Sequence, residues 1–178
     1  MVLPLCLEPH PVLRSKARRV ESFTKEIRRL ARDLTETMYA NHGIGLAAPQ
    51  VGRDLQLFVA NPTQQRGREV VVVNPVLGAC RGRAAVTEGC LSVPDVWERV
   101  RRASGVRLSG QDVFGKPIAL DAEGLLAIVL QHEFDHLQGQ LFIDRLSWFR
   151  RARVAAQRRR NPNYQTPSPK HQTSPNHQ

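Results

Sequence analysis

The segment Gln131-His-Glu-Phe-Asp-His136 directly follows the apolar run Leu125-Leu-Ala-Ile-Val-Leu130, and the two together decide the fold. Because the run is apolar on nearly every side, it predicts a buried central helix over residues 124–137. Asp121 is the expected N-terminal cap of this helix, and Gly139 is its expected C-terminal stop. A helix that is buried all round needs other elements on every side, so the rest of the chain should pack around it.

The predicted helix carries the pattern His-Glu-x-x-His at residues 132–136. Histidines four residues apart share one helical face and can bind one metal ion through two imidazoles, while Glu133 stands beside a water at the metal. Three ionisable side chains on a buried helix are costly without a partner, and a metal ion satisfies all three. The alternative is a chance match on a solvated helix, which the predicted burial argues against.

A catalytic metal usually has three protein ligands, so the two histidines leave one ligand to be found. The candidates are Cys90, Glu88, His42 and acids after the helix such as Asp144. Cys90 lies in the small-residue segment Thr87-Glu-Gly-Cys-Leu-Ser92, where a thiolate could approach a metal. A buried structural thiol fits the same pattern, so spacing alone leaves the choice open.

The chain before the central helix predicts one more helix and several strands. Apolar residues at helical spacing after a possible Thr24 cap predict an amphipathic first helix; they are Ile27, Leu30, Ala31, Leu34 and Met38. Short β-type runs follow at residues 55–60, 70–73, 76–79, 106–108 and 117–120, with a turn at Gly115-Lys116 between the last two. This order indicates an α+β domain with mostly antiparallel strands around the buried helix, because it lacks the alternating βαβ pattern.

The formal net charge of +10 is concentrated at the end of the chain. Residues 145–178 hold 8 of the 26 Lys and Arg residues and none of the 16 acids. We therefore expect a catalytic domain over residues 1–148 and a basic extension over residues 149–178. Its helix-compatible first part has no acids of its own to pair with the arginines, which are Arg150, Arg151, Arg153, Arg158, Arg159 and Arg160. The part from about residue 161 is rich in Pro, Ser, Asn and Gln and is expected to be disordered.

The cysteine count and the start of the chain bear on the compartment. Three cysteines, Cys6, Cys80 and Cys90, do not make the disulfide framework of a small secreted domain and fit reduced thiols better. The first residues lack the basic and long apolar regions of a signal peptide. No run approaches the ~18 apolar residues of a membrane span. We expect a cytoplasmic monomer without membrane contact.

A further segment, Gly43-Ile-Gly-Leu-Ala-Ala-Pro-Gln50, has small residues that let the backbone approach a ligand closely. In order, this segment, Glu88-Gly-Cys-Leu-Ser92 and Gln131–His136 resemble the three signatures of the bacterial-type peptide deformylases. The resemblance extends from the first helix through Ser147. It implies Cys90, His132 and His136 as ligands of one Fe²⁺ ion per chain, although Zn²⁺ or another divalent transition metal would also suit this set.

The resemblance also implies the reaction and its participants. The expected enzyme removes the formyl group from N-formylmethionine of nascent chains and releases formate. Glu133 would act as general base, while the Gln50 amide and the Leu91 backbone N–H would stabilise the oxyanion. The expected substrate-binding residues are Ile44, Gly45, Glu88, Gly89, Leu125, Ile128 and Val129. The last three share the helical face of His132 and either wall an apolar pocket for the methionine side chain or are plain core.

Two positions depart from the family's pattern. Trp97 stands where bacterial relatives often have Arg, and His42 stands where an acidic residue is common. Both would lie near the rim along which the peptide backbone of a substrate runs, so they bear on substrate affinity and leave the chemistry unchanged. The basic extension is expected either to dock on the ribosome through rRNA phosphates or to be a solvated tail.

Two other functions remain as alternatives. A metalloendopeptidase with the same His-Glu-x-x-His pattern would want a downstream third ligand, and no His occurs between His136 and His171. A non-enzymatic, metal-stabilised RNA-binding protein would have no need of Glu133. Formate release and internal peptide cleavage therefore separate the two hydrolases, and replacement of Glu133 separates both from the third function.

Overall fold

The computed structural model describes residues 1–160, which form three α-helices and seven strands. The helices are α1 (Lys25–Ala40), α2 (Gly124–Leu137) and α3 (Trp148–Arg160). The strands are β1 (Gly45–Ala47), β2 (Leu57–Ala60), β3 (Val70–Arg81), β4 (Ala84–Cys90), β5 (Val93–Arg102), β6 (Gly105–Gln111) and β7 (Pro117–Glu123). Within residues 1–160, no helix is both long and apolar enough to cross a membrane.

A five-stranded antiparallel sheet in the order β1-β2-β3-β6-β7 forms the centre of the molecule. Alternation along β2 directs Leu57 and Val59 into the cluster that contains α1, and Phe58 and Ala60 into the cluster that contains α2. The sheet therefore has a helix on each face. This arrangement confirms the predicted α+β class, with short antiparallel strands packed around a buried helix.

Helix α2 has the predicted bounds, but its start differs from the prediction. Gly139 adopts φ 70 just after the helix, the left-handed conformation that glycine takes without a Cβ penalty, so the predicted stop is confirmed. Asp121 as the N-cap is wrong: it lies within β7 opposite Arg107, and Glu123 occupies the N-cap position without a side-chain capping bond. Since β7 runs directly into α2, no loop residue is available as a cap.

Strand β3 is continuous where two separate strands were predicted. Asn74 has φ 50, and the register with β6 shifts between Val73 and Val76. Asn74-Pro75 therefore forms a bulge within one strand and does not end it. The Asn74 side chain accepts from the backbone N–H of Val20 at 2.8 Å and donates to its carbonyl at 2.9 Å. These bonds hold the bulge against the N-terminal segment.

Strands β4 and β5 form a second, two-stranded antiparallel sheet that the sequence did not reveal. Inward-facing Val93, Val96 and Val100 share a core cluster with Phe142 and with Val154 of α3. The other inward positions of β5 carry the charged residues Glu98 and Arg102, which interrupt the apolar alternation that marks a strand. The hairpin matters for function because β4 ends at Cys90.

Helix α3 confirms the predicted basic helix and corrects the view that its arginines lack acids. Arg150 and Arg153 both bind the Glu98 carboxylate, the second at 2.7 Å. Arg158 donates to the Glu8 carbonyl at 3.2 Å. The partners come from β5 and from the N-terminal segment, which are distant in sequence. The disorder predicted from about residue 161 lies outside the described residues.

Candidate metal centre

Cys90, His132 and His136 converge from β4 and α2. One ligand atom from each lies within 4.8 Å of the other two, and Cys90 Sγ is 3.3 Å from His136 Nε2. A tetrahedral metal with ordinary bond lengths to sulfur and nitrogen separates its ligand atoms by about 3.6 Å. One thiolate and two imidazoles at this spacing therefore fit a divalent transition metal, with a coordination position left over for a further ligand.

Glu88 orients the His132 ring. The ring Nδ1 lies 2.9 Å from Glu88 Oε2, and an Nδ1–H that donates to a carboxylate leaves Nε2 as the free ligand atom. Arg102 donates two hydrogen bonds of 2.8 Å to the same carboxylate. Burial opposes ionisation, but the bonds from Arg102 and His132 outweigh it and lower the pKa of Glu88 to about 2. The structure buries the Glu88 carboxylate against these two partners, and the substrate-binding role expected for Glu88 stays a prediction.

The two histidines differ in their electrostatic surroundings. Burial lowers the pKa of His136 well below its ordinary value, so its imidazole is neutral, as a metal ligand must be. Burial also acts against a charge on His132, but hydrogen bonds to Cys90 and Glu88 outweigh burial and raise its pKa. The same negative groups that favour a proton at this place also favour a metal cation.

Glu133 is 3% exposed and lies against the backbone of β1. A Cβ at Gly45 would be 2.3 Å from Glu133 Oε1, so only glycine leaves room for the carboxylate. Glu133 Oε2 is buried and has no hydrogen-bond partner within residues 1–160. Burial raises the pKa of Glu133 to about 7, against the opposing charges of His132 and Arg102. A carboxyl group with a pKa near neutrality is suited to accept a proton and return it.

Gln50 is fixed beside the sulfur of Cys90. The Ala47 N–H donates to its Oε1 at 2.8 Å, while its Nε2 donates to Ser92 Oγ at 3.2 Å and lies 3.5 Å from Cys90 Sγ. Leu91 directly follows Cys90 after β4, which places its backbone N–H next to the sulfur ligand in the chain. Gln50 therefore lies at the metal centre, and the roles of both predicted oxyanion donors remain predictions.

The other predicted substrate-binding residues lie on three elements around this centre. Val129 adjoins Gly45, since the Cβ position of Gly45 is 2.9 Å from Val129 Cγ1. Ile44 precedes β1, Gly89 precedes Cys90, and Ile128 is buried in α2, whereas Leu125 is 46% exposed on the first turn of that helix. Their roles toward a substrate remain predictions.

The remaining candidate ligands lie apart from the metal group. His42 is exposed just past α1 with φ 53. Asp144 binds Arg14 and accepts from the Leu141 N–H at 2.8 Å. Trp97 is 47% exposed and covers Gly89, whose Cβ position would be 2.8 Å from the indole ring. Of the four third-ligand candidates, only Cys90 reaches the two histidines.

Sequence reasoning missed Ser92, Arg102 and Asp135. The Arg102 side chain is 0% exposed and lies between Glu88 and Asp135. A signal existed for Asp135 alone, because it lies inside the predicted buried helix motif and a buried charge requires an opposite charge nearby. Arg102 gave no such signal, since its strand was not predicted and its inward position is seen only in the structure.

An α+β fold with a Cys/His/His group and a buried glutamate beside it defines the class of metal-dependent hydrolases. The polypeptide deformylase family model matches residues 2–152, and the chain belongs to that family.

Individual relatives agree with this assignment. The peptide deformylase of Acinetobacter baumannii is 45% identical over 154 residues, which are 86% of this chain and 88% of the relative. The crystal structure of peptide deformylase from Thermus thermophilus superposes with a TM-score of 0.83 at 46% identity, covering 89% of this chain and 93% of that one. A Synechococcus elongatus peptide deformylase, in complex with actinonin, has a TM-score of 0.84 at 37% identity and covers 93% and 92%.

Proposed function

We propose that this chain is a peptide deformylase, which hydrolyses the formyl amide of N-formylmethionine on newly synthesised polypeptides and releases formate. The observation that carries the proposal is the Cys90/His132/His136 group with Glu133 beside it, in a chain of this family. The alternatives are not favoured. Cys90 supplies the third ligand that a metalloendopeptidase would seek downstream, and a purely structural metal would not need a buried carboxylate at its side.

The chemistry divides between the metal and the side chains around it. Cys90, His132 and His136 would hold a divalent metal, which would supply Lewis-acid chemistry and lower the pKa of a water toward neutrality. Glu133 accepts the proton that the water loses as it adds to the formyl carbon. The same carboxyl group then gives that proton to the amine nitrogen as the C–N bond breaks. General acid–base action of this kind contributes roughly 10²- to 10⁴-fold.

The negative charge that develops on the formyl oxygen needs hydrogen-bond donors already in place. The Nε2 of Gln50 and the backbone N–H of Leu91 supply them. Because Ala47 and Ser92 hold both ends of the Gln50 amide, little reorganisation is needed when the charge forms. A donor of this type is worth about 3 to 4 kcal/mol in catalysis.

Substrate binding is proposed along β1 and β4, with Ile44, Gly45 and Gly89 facing the peptide backbone. Val129, Ile128 and Leu125 would form an apolar wall for the methionine side chain, since all three lie on α2 on the side of His132. Trp97, over Gly89, gives the rim of this site an aromatic face. The role of Glu88 in this scheme is to orient His132.

For the metal itself, we propose one Fe²⁺ ion per chain. Thiolate and imidazole ligands also suit Zn²⁺, which binds such sets at least as tightly by the general affinity order. Iron beside a thiolate should make the enzyme sensitive to oxygen, through loss of the metal and oxidation of Cys90. Equal activity and equal stability in air of the iron and zinc forms would contradict this choice.

The function is tested with anaerobically prepared protein and a formyl-Met peptide. We expect formate and a peptide with a free N-terminal methionine, and no internal cleavage. Glu133→Ala should abolish formate release while the metal remains bound. Internal cleavage without formate release would instead establish an endopeptidase. Absence of any hydrolysis, together with RNA binding that Glu133→Ala leaves unaltered, would establish the third alternative.

We further propose a cytoplasmic monomer with a catalytic domain over residues 1–148 and an extension over residues 149–178 that docks on the ribosome. Support comes from three exposed arginines of α3, for which the structure shows no ion pair within residues 1–160; they are Arg151, Arg159 and Arg160. Binding to rRNA phosphates should weaken steeply with added salt. Because Val154 belongs to the core, the test removes residues 161–178 and reverses the exposed arginines but leaves α3 in place. Ribosome affinity unchanged by both would overturn the proposal.

A further inference from the structure

Behind the metal ligands, charged side chains form a continuous series of ion pairs that ends at the surface. Arg102 binds Glu88 through Nε and Nη2, and its third nitrogen, Nη1, donates to Asp135 Oδ2. Arg145 donates from Nε and Nη2 to the two oxygens of Asp135, at 2.6 Å each. Asp135 therefore accepts three hydrogen bonds from two arginines.

The series joins four separate elements and is buried except at one end. Glu88 lies on β4, Arg102 on β5, Asp135 on α2 and Arg145 in the 3-10 helix Phe142–Arg145. The side chains of Glu88 and Asp135 are 6% exposed and that of Arg102 is 0% exposed, whereas that of Arg145 is 40% exposed. Two positive and two negative groups alternate, so the buried charges balance only while all four are present.

We propose that Asp135 and Arg145 are positioning residues of the metal centre, which act on His132 through Arg102 and Glu88. The proposal depends on the proposed function only in taking His132 as a metal ligand. The guanidinium of Arg102 is planar and holds carboxylates along two of its edges. Asp135, which binds the other side of this guanidinium, therefore fixes the orientation of Arg102 toward Glu88. Arg145 in turn fixes the orientation of Asp135.

Removal of Arg145 would leave Asp135 with one cation that it must share with Glu88. A buried charge that loses a partner recruits the nearest remaining one. Arg102 would then shift from Glu88 toward Asp135, and the Glu88 carboxylate would lose part of its hold on His132 Nδ1. Loss of a group that orients a metal ligand typically weakens metal binding about 10- to 100-fold.

Metal binding tests this proposal without any substrate. The Kd of the metal-free protein for Co²⁺ and Zn²⁺ is measured by competition with a chelator, and the Co²⁺ form is examined by visible absorption. We expect Arg145→Met to raise both Kd values about 10- to 100-fold and to alter the Co²⁺ bands, because the geometry at His132 changes. Arg145→Lys keeps the charge but loses the bidentate contact with Asp135, so its Kd values should lie between those of Arg145→Met and wild type.

Arg101→Met is the matched control, since Arg101 is the exposed neighbour of Arg102 and has no ion pair within residues 1–160. It should leave metal affinity and spectrum unchanged. Thermal unfolding of the metal-free variants separates stability from metal affinity. If Arg145→Met and Arg145→Lys are folded and bind both metals within twofold of wild type with the wild-type Co²⁺ spectrum, Arg145 is merely structural and the proposal is wrong. A protein that shows the expected metal effects but releases no formate would leave it intact and refute the proposed function alone.

Discussion

Replacing Gly45 with alanine should disable the enzyme through Glu133 without altering any metal ligand. The new Cβ would lie 2.3 Å from Glu133 Oε1, 2.8 Å from its Cδ and 2.9 Å from Val129 Cγ1. Non-bonded heavy atoms rest at about 3.5 Å, so the carboxylate has to withdraw by about 1 Å. The strand cannot yield instead without disturbing its pairing with β2, where Gly45 is opposite Ala60.

A displacement of about 1 Å in a reacting group can cost about 10²-fold in rate. We therefore expect kcat/KM of Gly45→Ala to fall about 10²-fold, equivalent to about 2.7 kcal/mol of transition-state stabilisation. Overpacking should also cost about 1 to 3 kcal/mol of stability, which leaves a folded protein if the parent has ordinary stability. Metal binding should persist, because the three ligands come from β4 and α2.

The assay is formate release from a formyl-Met peptide, with metal content measured on the same sample. Gly105→Ala is the control, since Gly105 also lies in a strand of the central sheet but its Cβ would meet its nearest neighbour at an ordinary 3.6 Å. We expect the control to keep kcat/KM within about threefold of wild type, because ordinary van der Waals contact displaces nothing. A folded, metal-loaded Gly45→Ala enzyme with wild-type kcat/KM would refute the role assigned to the position of Glu133.

Three further outcomes are expected. Glu133→Gln keeps the shape of the side chain and removes the base, so kcat should fall about 10²- to 10⁴-fold in steady-state assays while metal content stays unchanged; near-normal turnover would contradict this. Removal of the metal by a chelator should lower the thermal midpoint of the wild type, since a ligand present at 100 times its Kd stabilises the folded protein by about 2.7 kcal/mol. In Cys90→Ser, most of this difference between the midpoints with and without metal should disappear. Burial acts against the charge of Glu98, but hydrogen bonds from Arg153 and Arg150 outweigh it and lower the pKa of Glu98, so its stabilising effect is present above the ordinary glutamate pKa and disappears as pH falls through the lowered value. Urea unfolding should therefore show Glu98→Gln less stable than wild type by about 1 kcal/mol at pH 7, with a smaller difference below about pH 4, and a difference independent of pH would exclude this contribution.

Local sequence patterns predicted the helices, because the apolar residues that stabilise these helices stand close together or at regular spacing in the chain. Apolar periodicity identified α1, a continuous apolar run identified α2, and Gly139 identified the end of α2. The β4–β5 hairpin escaped because Glu98 and Arg102 take inward positions where an apolar residue would have continued the alternation. Those two charges are buried only because their partners arrive from α3, β4 and α2, and no local pattern records such partners.

The same distinction between local patterns and partners distant in sequence applies to the metal centre. The sequence by itself determined that two imidazoles and a carboxylate share a buried helix, because the helical repeat alone places His132 and His136 about one turn apart on one face, with Glu133 between them in the chain. Spacing left four candidates for the third ligand, and resemblance to the family singled out Cys90. Only the tertiary structure decided that Cys90 Sγ lies 3.3 Å from His136 Nε2, that Glu88 orients His132, and that Gly45 makes room for Glu133. These contacts join residues 44 to 88 positions apart in sequence, and they arise because strands of both sheets meet α2 in the folded chain.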